Sequence, residues 1–296
     1  MKWRILKERI ASNLMLLLTI SSLLLVFVMG IGLYLESSPI LAEHGFWDLL
    51  TESSWQPMKN KFGFFPFLMG SLWIVALSII IAFPISLLVA VYLTEYSHSR
   101  VKRYVFPLLD ILAGFPSVIF GVWGTLVIVP WVSKYIAPYF MEFNSGYTVL
   151  AAGIVVSVSI LPILISLFIE LFNNVSNDFR EASMALGATK WQTVRRVLLR
   201  KTSPGIIASV VLAISRVLGE TIAVLMVCGN LPIVPHSLLD ACYPIPALIA
   251  NNYGEMLSLP LYESALMFAA FILFFVVLLF NITSRIILQK MNKLSV

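Results

Sequence analysis

Arg216 and Glu220 are two opposite charges four positions apart in an apolar run at 206–228. On a helix, this spacing places both side chains on one face, near enough to pair. If the run crosses a membrane, each charge at mid-depth costs at least about 2.5–3.5 kcal/mol on insertion scales. The five N–H donors of a guanidinium suit the oxygens of an anion such as phosphate. The pair could lock two helices together; alternatively, Arg216 meets an anion in a polar path while Glu220 prevents overly tight binding.

Two hydroxyl side chains, Ser117 and Thr221, are weaker candidates for the same path. Ser117 follows Pro116 in an apolar run, where a kinked helix could expose its hydroxyl. A hydrogen bond back to its own helix is the simpler interpretation. Thr221 stands beside Glu220 and allows the same two interpretations.

Metal ligands and catalytic groups do not cluster in the sequence. The three histidines lie in different loops, and Cys228 and Cys242 have no C-x-x-C spacing. A disulfide between these cysteines would require an oxidising compartment, and two unrelated apolar cysteines is the simpler interpretation. H-E-x-x-H, G-x-S-G and paired intramembrane aspartates are absent, which argues against an intramembrane protease or lipid transferase. We expect no metal, no cofactor and no catalytic residue.

The composition indicates what kind of structure carries these residues. Of the 296 residues, 59% are hydrophobic and 12% are charged, and the mean hydropathy is +0.94. Soluble domains have about 45–50% apolar residues and about 25% charged ones. So few polar residues cannot cover a water-exposed surface, which excludes an ordinary soluble enzyme and a disordered chain. The sequence predicts an all-α, polytopic membrane helix bundle.

Six apolar runs are each long enough to cross a hydrocarbon core about 30 Å thick at about 1.5 Å per residue. They lie at 14–35, 67–93, 111–131, 147–169, 206–228 and 264–282. Pro84, Pro116 and Pro162 fall inside three of them. Lipid cannot satisfy the backbone groups that a proline leaves open, so neighbouring helices must do so. We therefore expect the six transmembrane helices to pack as one bundle.

The basic residues set the expected orientation of this bundle. Most of the 20 Lys and Arg residues precede the first run, follow the sixth, or lie between runs two and three or four and five. The opposite loops contain only Lys59, Lys61 and Lys134. This bias places both termini in the cytoplasm and accounts for the net charge of +5 without a nucleic-acid partner. The first run exceeds the roughly 7–15 apolar residues of a signal peptide, so we expect a retained anchor.

The segment 171–203 is the most informative loop. Its apolar spacing predicts two short helices separated by Gly187, which suits a left-handed C-terminal cap. Thr189 to Gln192 has the capping-box pattern at the start of the second helix, and Pro204 fits the first turn of the fifth crossing. A basic amphipathic segment of this kind either lies on anionic membrane lipid or docks a cytoplasmic partner. Physical chemistry alone leaves both interpretations open.

The same loop holds acidic, small and apolar residues at a fixed spacing: Glu181, Ala182, Ser183, Gly187, Ala188, Val197 and Leu199. This series resembles the EAA loop of bacterial ABC-importer permeases, whose pattern is roughly E-A-A-x3-G-x9-I-x-L-P. Here Ser183 replaces the second Ala, and Arg200 stands where the family usually has Pro. The resemblance implies a coupling helix that sits in a cleft of an ATP-hydrolysing subunit. Because the sequence has no G-x4-G-K-[ST] loop, a separate dimer of ATP-binding subunits is expected.

Further stretches at 62–67, 112–121, 216–224 and 249–255 resemble phosphate-importer permeases of the PstC type. The sister PstA-type subunit usually follows G-E-T with Ala-Pro, where this chain has Ile222 and Ala223. The resemblance implies a type I ABC-importer permease fold and a phosphate path shared with a PstA-type partner. It agrees with a role of Arg216 and Glu220 in the path, for which Thr221 and Ser117 are the further candidates. A phosphate-binding protein on the outer face would deliver the anion.

Other functions stay open on the sequence alone. Arg216 does not by itself separate phosphate from another oxyanion such as molybdate or sulfate. A scaffold or sensor without transport would not need a charged pair within the membrane.

The expected domains follow from the resemblance and the apolar runs. An N-terminal anchor helix and outer loop occupy 1–66, an ABC transmembrane permease domain occupies 67–287, and a cytoplasmic tail occupies 288–296. The protein is expected in the bacterial cell membrane as a multi-pass protein.

Overall fold

Among residues 2–141, 145–254 and 260–294, which the structure describes, six helices of this computed structural model are long and apolar enough to cross a membrane. These spans are Lys7–Glu36, Phe65–Tyr96, Ser117–Tyr139, Val149–Asn173, Lys190–Leu218 and Leu261–Ile286. The prediction of an all-α, six-span membrane bundle is confirmed.

The elements follow one another in a simple order along the chain. The first part contains α1 (Lys2–Glu36), α2 (Ser38–Glu43), α3 (Phe46–Thr51), β1 (Trp55–Gln56) and β2 (Lys61–Phe62). The middle part contains α4 (Phe65–Val91), α5 (Ser99–Ala113), α6 (Ser117–Trp123), α7 (Val129–Trp131) and α8 (Val149–Asn173). The last part contains α9 (Asn177–Ala185), α10 (Lys190–Thr193), α11 (Leu199–Leu218), α12 (Ile222–Leu225), α13 (Ile245–Asn252) and α14 (Pro260–Leu294). Turns of π-helix extend α4, α6, α7 and α10 at Tyr92–Tyr96, Gly124–Ile128, Val132–Ile136 and Val194–Leu198.

Helices α4 and α8 make the most extensive contact in the bundle, because small residues let their backbones approach closely. Further along α4 from its first turns, the small buried residues are Ser78, Ala82, Ser86 and Ala90. Ser78 Oγ donates a hydrogen bond of 3.3 Å to the Gly153 carbonyl of α8. A Cβ at Gly153 would clash with the side chain of Leu77. Lipid gives little hydrophobic drive for helix association, so this close packing stabilises the bundle.

The bundle has two different ends. The end called here the basic end carries the turn Tyr92–Tyr96 and helices α5, α9 and α10. The opposite end carries α2, α3, the strands and α13. At the opposite end β1 and β2 pair antiparallel, and the Ile40 N–H donates a hydrogen bond of 3.1 Å to Ser264 Oγ of α14. The loop after α12 packs on this end, since the first turn of α13 is buried.

The third span differs from the expected run at 111–131. Residues 111–113 belong to α5, and the span begins only at Ser117 and continues to Tyr139. Pro116 does not kink a helix; it precedes α6 with φ −58° and ψ 140°. Proline disfavours the helical conformation in the residue before it, so Phe115 is not helical. Helix α6 begins directly after Pro116, where the missing N–H of proline costs no helical hydrogen bond.

The fifth span also differs from the expected run at 206–228. A continuous helix runs from Lys190 to Leu218, and Pro204 lies inside α11 rather than in its first turn. In a regular helix, the N–H of residue 204 would donate a hydrogen bond to the Arg200 carbonyl. Because Pro204 has no N–H, this carbonyl instead accepts a hydrogen bond of 2.9 Å from Ser203 Oγ. A side chain that satisfies the freed carbonyl lets a helix within lipid continue through a proline.

The contact between α4 and α8 predicts how the fold responds to added volume. Gly153→Val forces Leu77 and α4 outward, and overpacking of this kind costs about 1–3 kcal/mol. A fall in the thermal midpoint of the purified protein in detergent measures this effect. Gly32→Val is the matched control, because a Cβ at Gly32 of α1 meets no atom within 4 Å. An equal midpoint for both variants contradicts the proposed close contact.

Candidate functional site

The chain leaves the helical conformation between α11 and α12, directly after Arg216. The Gly219 N–H donates 3.1 Å to the Arg216 carbonyl, and the Glu220 N–H donates 3.0 Å to the Val217 carbonyl. Thr221 Oγ1 donates 3.1 Å to the Gly219 carbonyl. Non-helical backbone at membrane depth is tolerated only where protein or a water-filled cavity surrounds it. The break therefore marks a place where the bundle departs from simple helix packing.

The prediction that Arg216 and Glu220 pair on one helix face is wrong. Arg216 lies in the last turn of α11, which ends at Leu218, and Glu220 lies beyond the helix end. The helix ends at Gly219 with φ −89° and ψ −4°, so the i, i+4 spacing does not apply to this pair. Within the described residues the two side chains form no ion pair within 4.0 Å. The Arg216 side chain is exposed and has no hydrogen-bond partner among those residues, so it does not lock two helices together.

Glu220 is half-buried and lines a small cavity. Ser71 and Ile74 of α4 form one wall, and Pro244 and Pro246 at the start of α13 form another. At about 1.5 Å per residue, this α4 wall lies about 9–14 Å from the start of that helix at the opposite end. Ser71 Oγ accepts a hydrogen bond of 3.1 Å from the Ile245 N–H. The start of α13 therefore lies over Glu220 and separates it from the opposite end.

Ser117 is the first residue of α6 and is partly buried. It stands on a new helix rather than on a kinked one, and its hydroxyl has no hydrogen-bond partner among the described residues. Helix α6 runs in the same direction as α12: a Cβ at Gly121 would lie 3.1 Å from Ala223 Cα, and Thr125 Oγ1 donates 3.1 Å to the Met226 carbonyl. This register places the break before Ser117 on the same level as the break at Glu220.

The predicted helix break at Gly187 is confirmed, but the second helix is not a separate short one, because it continues from Lys190 into the fifth span. Helix α9 ends in a Schellman motif, in which Ala188 N–H donates 3.2 Å to the Ser183 carbonyl and Gly187 N–H donates 2.9 Å to the Met184 carbonyl. Gly187 has φ +83°, and a Cβ there would meet no atom within 4 Å. Glycine is needed at this position for its backbone conformation rather than for space.

The second helix of this loop starts with the expected capping box. Thr189 Oγ1 accepts 3.3 Å from the Gln192 N–H, and Gln192 Oε1 accepts 2.9 Å from the Thr189 N–H. Ser183 Oγ lies 2.9 Å from Thr193 Oγ1 and joins the two helices. The loop is thus a fixed structure, and the hydroxyl of Ser183 has a role that an alanine could not fill.

One face of this loop, called here the docking face, is exposed and largely apolar. Glu181 and Ala182 are exposed. The large apolar residues on it are Met184, Leu186 and Trp191, with exposed fractions of 48%, 89% and 51%. Large apolar side chains grouped on an exposed surface mark an interaction site. Ala188, by contrast, is partly buried behind the Schellman turn.

Arg180 and Glu95 form an ion pair that the sequence analysis did not identify. Arg180 Nη2 lies 2.9 Å from Glu95 Oε1, and the two residues are 85 positions apart. The only signal in the sequence was a basic residue a few positions after the end of α8, where cations often bind the last carbonyls. The partner on another span could not be identified in this way.

The two cysteines are neighbours, but they do not form a disulfide. Both are buried and free, and the Cys242 N–H donates 2.9 Å to the Cys228 carbonyl. The Cys228 thiol donates 3.0 Å to Asn230 Oδ1. Contact with Cys228, together with burial, raises the pKa of the Cys242 thiol. Within the described residues, no group of three or more His, Cys, Asp or Glu side chains could hold a metal.

The overall fold is similar to that of solved importer chains. A chain of a bacterial ABC transporter that imports the acidic polysaccharide alginate aligns with a TM-score of 0.61 at 18% identity, covering 96% of this chain and 98% of that chain. The inward-facing MetNI methionine ABC transporter aligns with a TM-score of 0.57 at 20% identity, covering 80% and 99%. This likeness concerns the fold, which is that of type I ABC-importer permeases.

The sequence relatives are more specific. PstC, a phosphate transport system permease protein of Xylella fastidiosa, is 32% identical over 255 residues, covering 81% of this chain and 78% of that protein. The probable PstC of Methanocaldococcus jannaschii is 30% identical and covers 90% and 89%. A probable ABC transporter permease of Bacillus subtilis, YqgH, is 34% identical and covers 80% and 78%. Residues 82–293 match the binding-protein-dependent transport system inner membrane components. The chain belongs to this family of inner membrane components and, within it, to the PstC-type permeases.

Proposed function

We propose that this chain is the membrane-spanning permease subunit of an ATP-driven phosphate importer and forms the phosphate path together with a second, PstA-type permease chain. The observation that carries the proposal is Arg216, an exposed and unpaired guanidinium at a helix break inside an apolar bundle. The PstC relatives support phosphate as the anion, and none of the three relatives described above is named for molybdate or sulfate.

The exposure of Arg216 indicates where the path lies. An unpaired guanidinium facing lipid within the membrane costs several kcal/mol, so the face that carries Arg216 meets water or another protein chain. In a two-chain permease, that face lines the interface between the subunits. Arg216 then offers all of its N–H donors to the anion as it passes.

Glu220 and the hydroxyls complete the proposed path. The carboxylate of Glu220 lies close along the chain and repels the same anion, so phosphate bound at Arg216 is not held too tightly to leave. Ser117 and Thr221 lie at the same two helix breaks and offer hydroxyl groups to phosphate oxygens. In the described conformation the start of α13 covers Glu220, so the path in this chain is closed toward the opposite end.

The two ends of the bundle assign the partners. The basic end faces the cytoplasm by the positive-inside rule, which leaves both termini of the chain in the cytoplasm. There the docking face, with Glu181 and Leu186, binds one subunit of an ATP-binding dimer. The opposite end, with α2, α3 and α13, receives a phosphate-binding protein. Rocking of the two permease chains, driven by closure of the ATP-binding dimer, opens the path alternately to the two sides.

Transport of phosphate is tested directly by uptake. A strain that lacks this chain should fail to accumulate labelled phosphate at micromolar supply, and the gene on a plasmid should restore accumulation. Excess sulfate or molybdate should leave the restored uptake unchanged, because the path is assigned to phosphate. Competition by either anion at equal concentration would contradict the phosphate assignment.

The role of Arg216 is tested by a charge-removing substitution. Arg216→Gln should abolish phosphate uptake, because an amide offers two donors and no charge, while co-purification of the assembled complex persists. Arg100→Gln, at an exposed arginine of α5, is the matched control and should keep uptake. Wild-type uptake by Arg216→Gln would refute the assignment of the path.

The docking loop is tested at Gly187. The left-handed backbone costs a residue with a Cβ about 1–2 kcal/mol, and asparagine adopts it more readily than alanine. Phosphate-stimulated ATP hydrolysis by the complex should therefore fall in the order Gly, Asn, Ala, Val. A Cβ at this position meets no atom, so a fall that follows side-chain volume instead of left-handed preference would count against this explanation.

A further inference from the structure

Three consecutive residues at the basic end of the second span each contact a cation from a different element. The Thr94 carbonyl accepts 3.2 Å from Lys102 Nζ of α5. Glu95 pairs with Arg180 of α9. The ring of Tyr96 lies 4.9 Å from Lys190 Nζ of α10, measured to the ring centroid. The turn Tyr92–Tyr96 therefore connects the second span with α5, α9 and α10.

Arg180 is the most completely bonded of these cations. Its Nε donates 3.0 Å to Glu95 Oε1, and its Nη2 donates 2.8 Å to the Phe172 carbonyl and lies 2.9 Å from Glu95 Oε1. Its Nη1 donates 2.7 Å to the Val175 carbonyl and 3.3 Å to Asn177 Oδ1. The guanidinium thus makes four hydrogen bonds and an ion pair, with acceptors from the second span, the end of α8 and the start of α9.

The pair is also shielded from water. The side chains of Arg180 and Glu95 are only 16% and 10% exposed, although they lie beside the exposed docking face. Glu95 is turned toward Arg180 by the wide π-helical turn, which the Ser97 N–H closes by donating 2.9 Å to the Tyr92 carbonyl. A lysine could keep the charge, but its single ammonium group cannot reach three elements in a fixed planar geometry.

The second span also reaches the candidate path. At its other end, Ser71 and Ile74 form the wall of the cavity that Glu220 lines. The helix is continuous between the two places and packs along α8. A displacement of α9 that Arg180 passes to Glu95 would therefore move one wall of the path.

We propose that Arg180 is a positioning residue that couples the docking face to the second span through Glu95, so that movement of the ATP-binding subunits is converted into movement of the path. This inference rests on the proposed function. Helix α9 is also held to α11 by Lys201, whose Nζ lies 3.9 Å from the centroid of the Phe179 ring. Loss of Arg180 should therefore weaken the conversion without abolishing it.

The test compares transport with ATP consumption in the assembled complex. The complex is reconstituted in liposomes with the phosphate-binding protein, and phosphate uptake and ATP hydrolysis are measured in the same vesicles. For Arg180→Gln we expect the phosphate transported per ATP to fall roughly tenfold, with ATP hydrolysis within about twofold of the wild type. A purely structural role would lower both quantities together through loss of complex and leave their ratio unchanged.

A second variant keeps the test independent of folding. Glu95→Gln leaves the bonds of Arg180 to α8 and α9 in place and should also lower the ratio of phosphate to ATP. The double variant should lose no more than Arg180→Gln alone, since both substitutions break one connection. Arg103→Gln, at an exposed arginine of α5, is the matched control and should keep the wild-type ratio. An unchanged ratio in Glu95→Gln, or additive losses in the double variant, would overturn the proposal.

A distance measurement separates this proposal from the phosphate assignment. Spin labels are placed at cysteines that replace Tyr92 and Ala182, both exposed, in a background with Cys228 and Cys242 replaced by Ala. The proposal requires one narrow distance distribution with and without ATP, and a broadened one in Arg180→Gln. A narrow distance distribution in that variant would refute the connection through Arg180 and Glu95, even if phosphate uptake persists. Absence of phosphate uptake by the wild type would refute the proposed function and leave this measurement valid.

Discussion

A peptide group in lipid finds no hydrogen-bond partner except the protein itself, and this constraint determines where the chain can leave the helical conformation. Most departures within the membrane-spanning part are repaired locally, as where Ser203 Oγ bonds the carbonyl that Pro204 leaves open. The breaks before Ser117 and at Gly219–Thr221 are different, because they end one helix and start another at the same level of the bundle. Such breaks are tolerated where protein or a water-filled cavity surrounds them, and Arg216 lies directly before the second break.

The two arginines that matter most use the same guanidinium in opposite ways. Arg180 makes four hydrogen bonds and an ion pair and is largely shielded from water. Arg216 has no partner among the described residues and is exposed. A saturated guanidinium fixes the geometry of the elements around it, whereas an unsaturated one is available to an anion that arrives from outside. Arg180 is therefore suited to hold neighbouring elements together, and Arg216 is suited to bind an anion.

Helix α4 connects these two functions because it is packed rather than merely adjacent. Small residues bring it against α8, and the hydrogen bond from Ser78 to Gly153 lies at the closest approach. Close-packed helices move as units, since their interface has little free volume to absorb strain. Glu95 and the cavity wall at Ser71 thus lie on one span, and the ion pair with Arg180 connects that span to the docking face. The overall fold is similar to that of importer chains at 18–20% identity.

The sequence by itself determined the class of the protein, the number of spans and the structure of the docking loop. Apolar length is a local property, and so are the left-handed cap at Gly187 and the capping box at Thr189, which depend on neighbours within a few residues. Family resemblance added the type of permease. The limits of the third and fifth spans were missed, because an apolar run does not reveal that helices end at Ala113 and Leu218 within it.

Only the tertiary structure decided which charges pair. The i, i+4 spacing of Arg216 and Glu220 indicated a pair, but the helix ends between them. Arg180 and Glu95, 85 positions apart, form the ion pair instead. The physical reason is that a salt bridge depends on the approach of two elements in space, and periodicity along one segment carries no information about a partner on another helix.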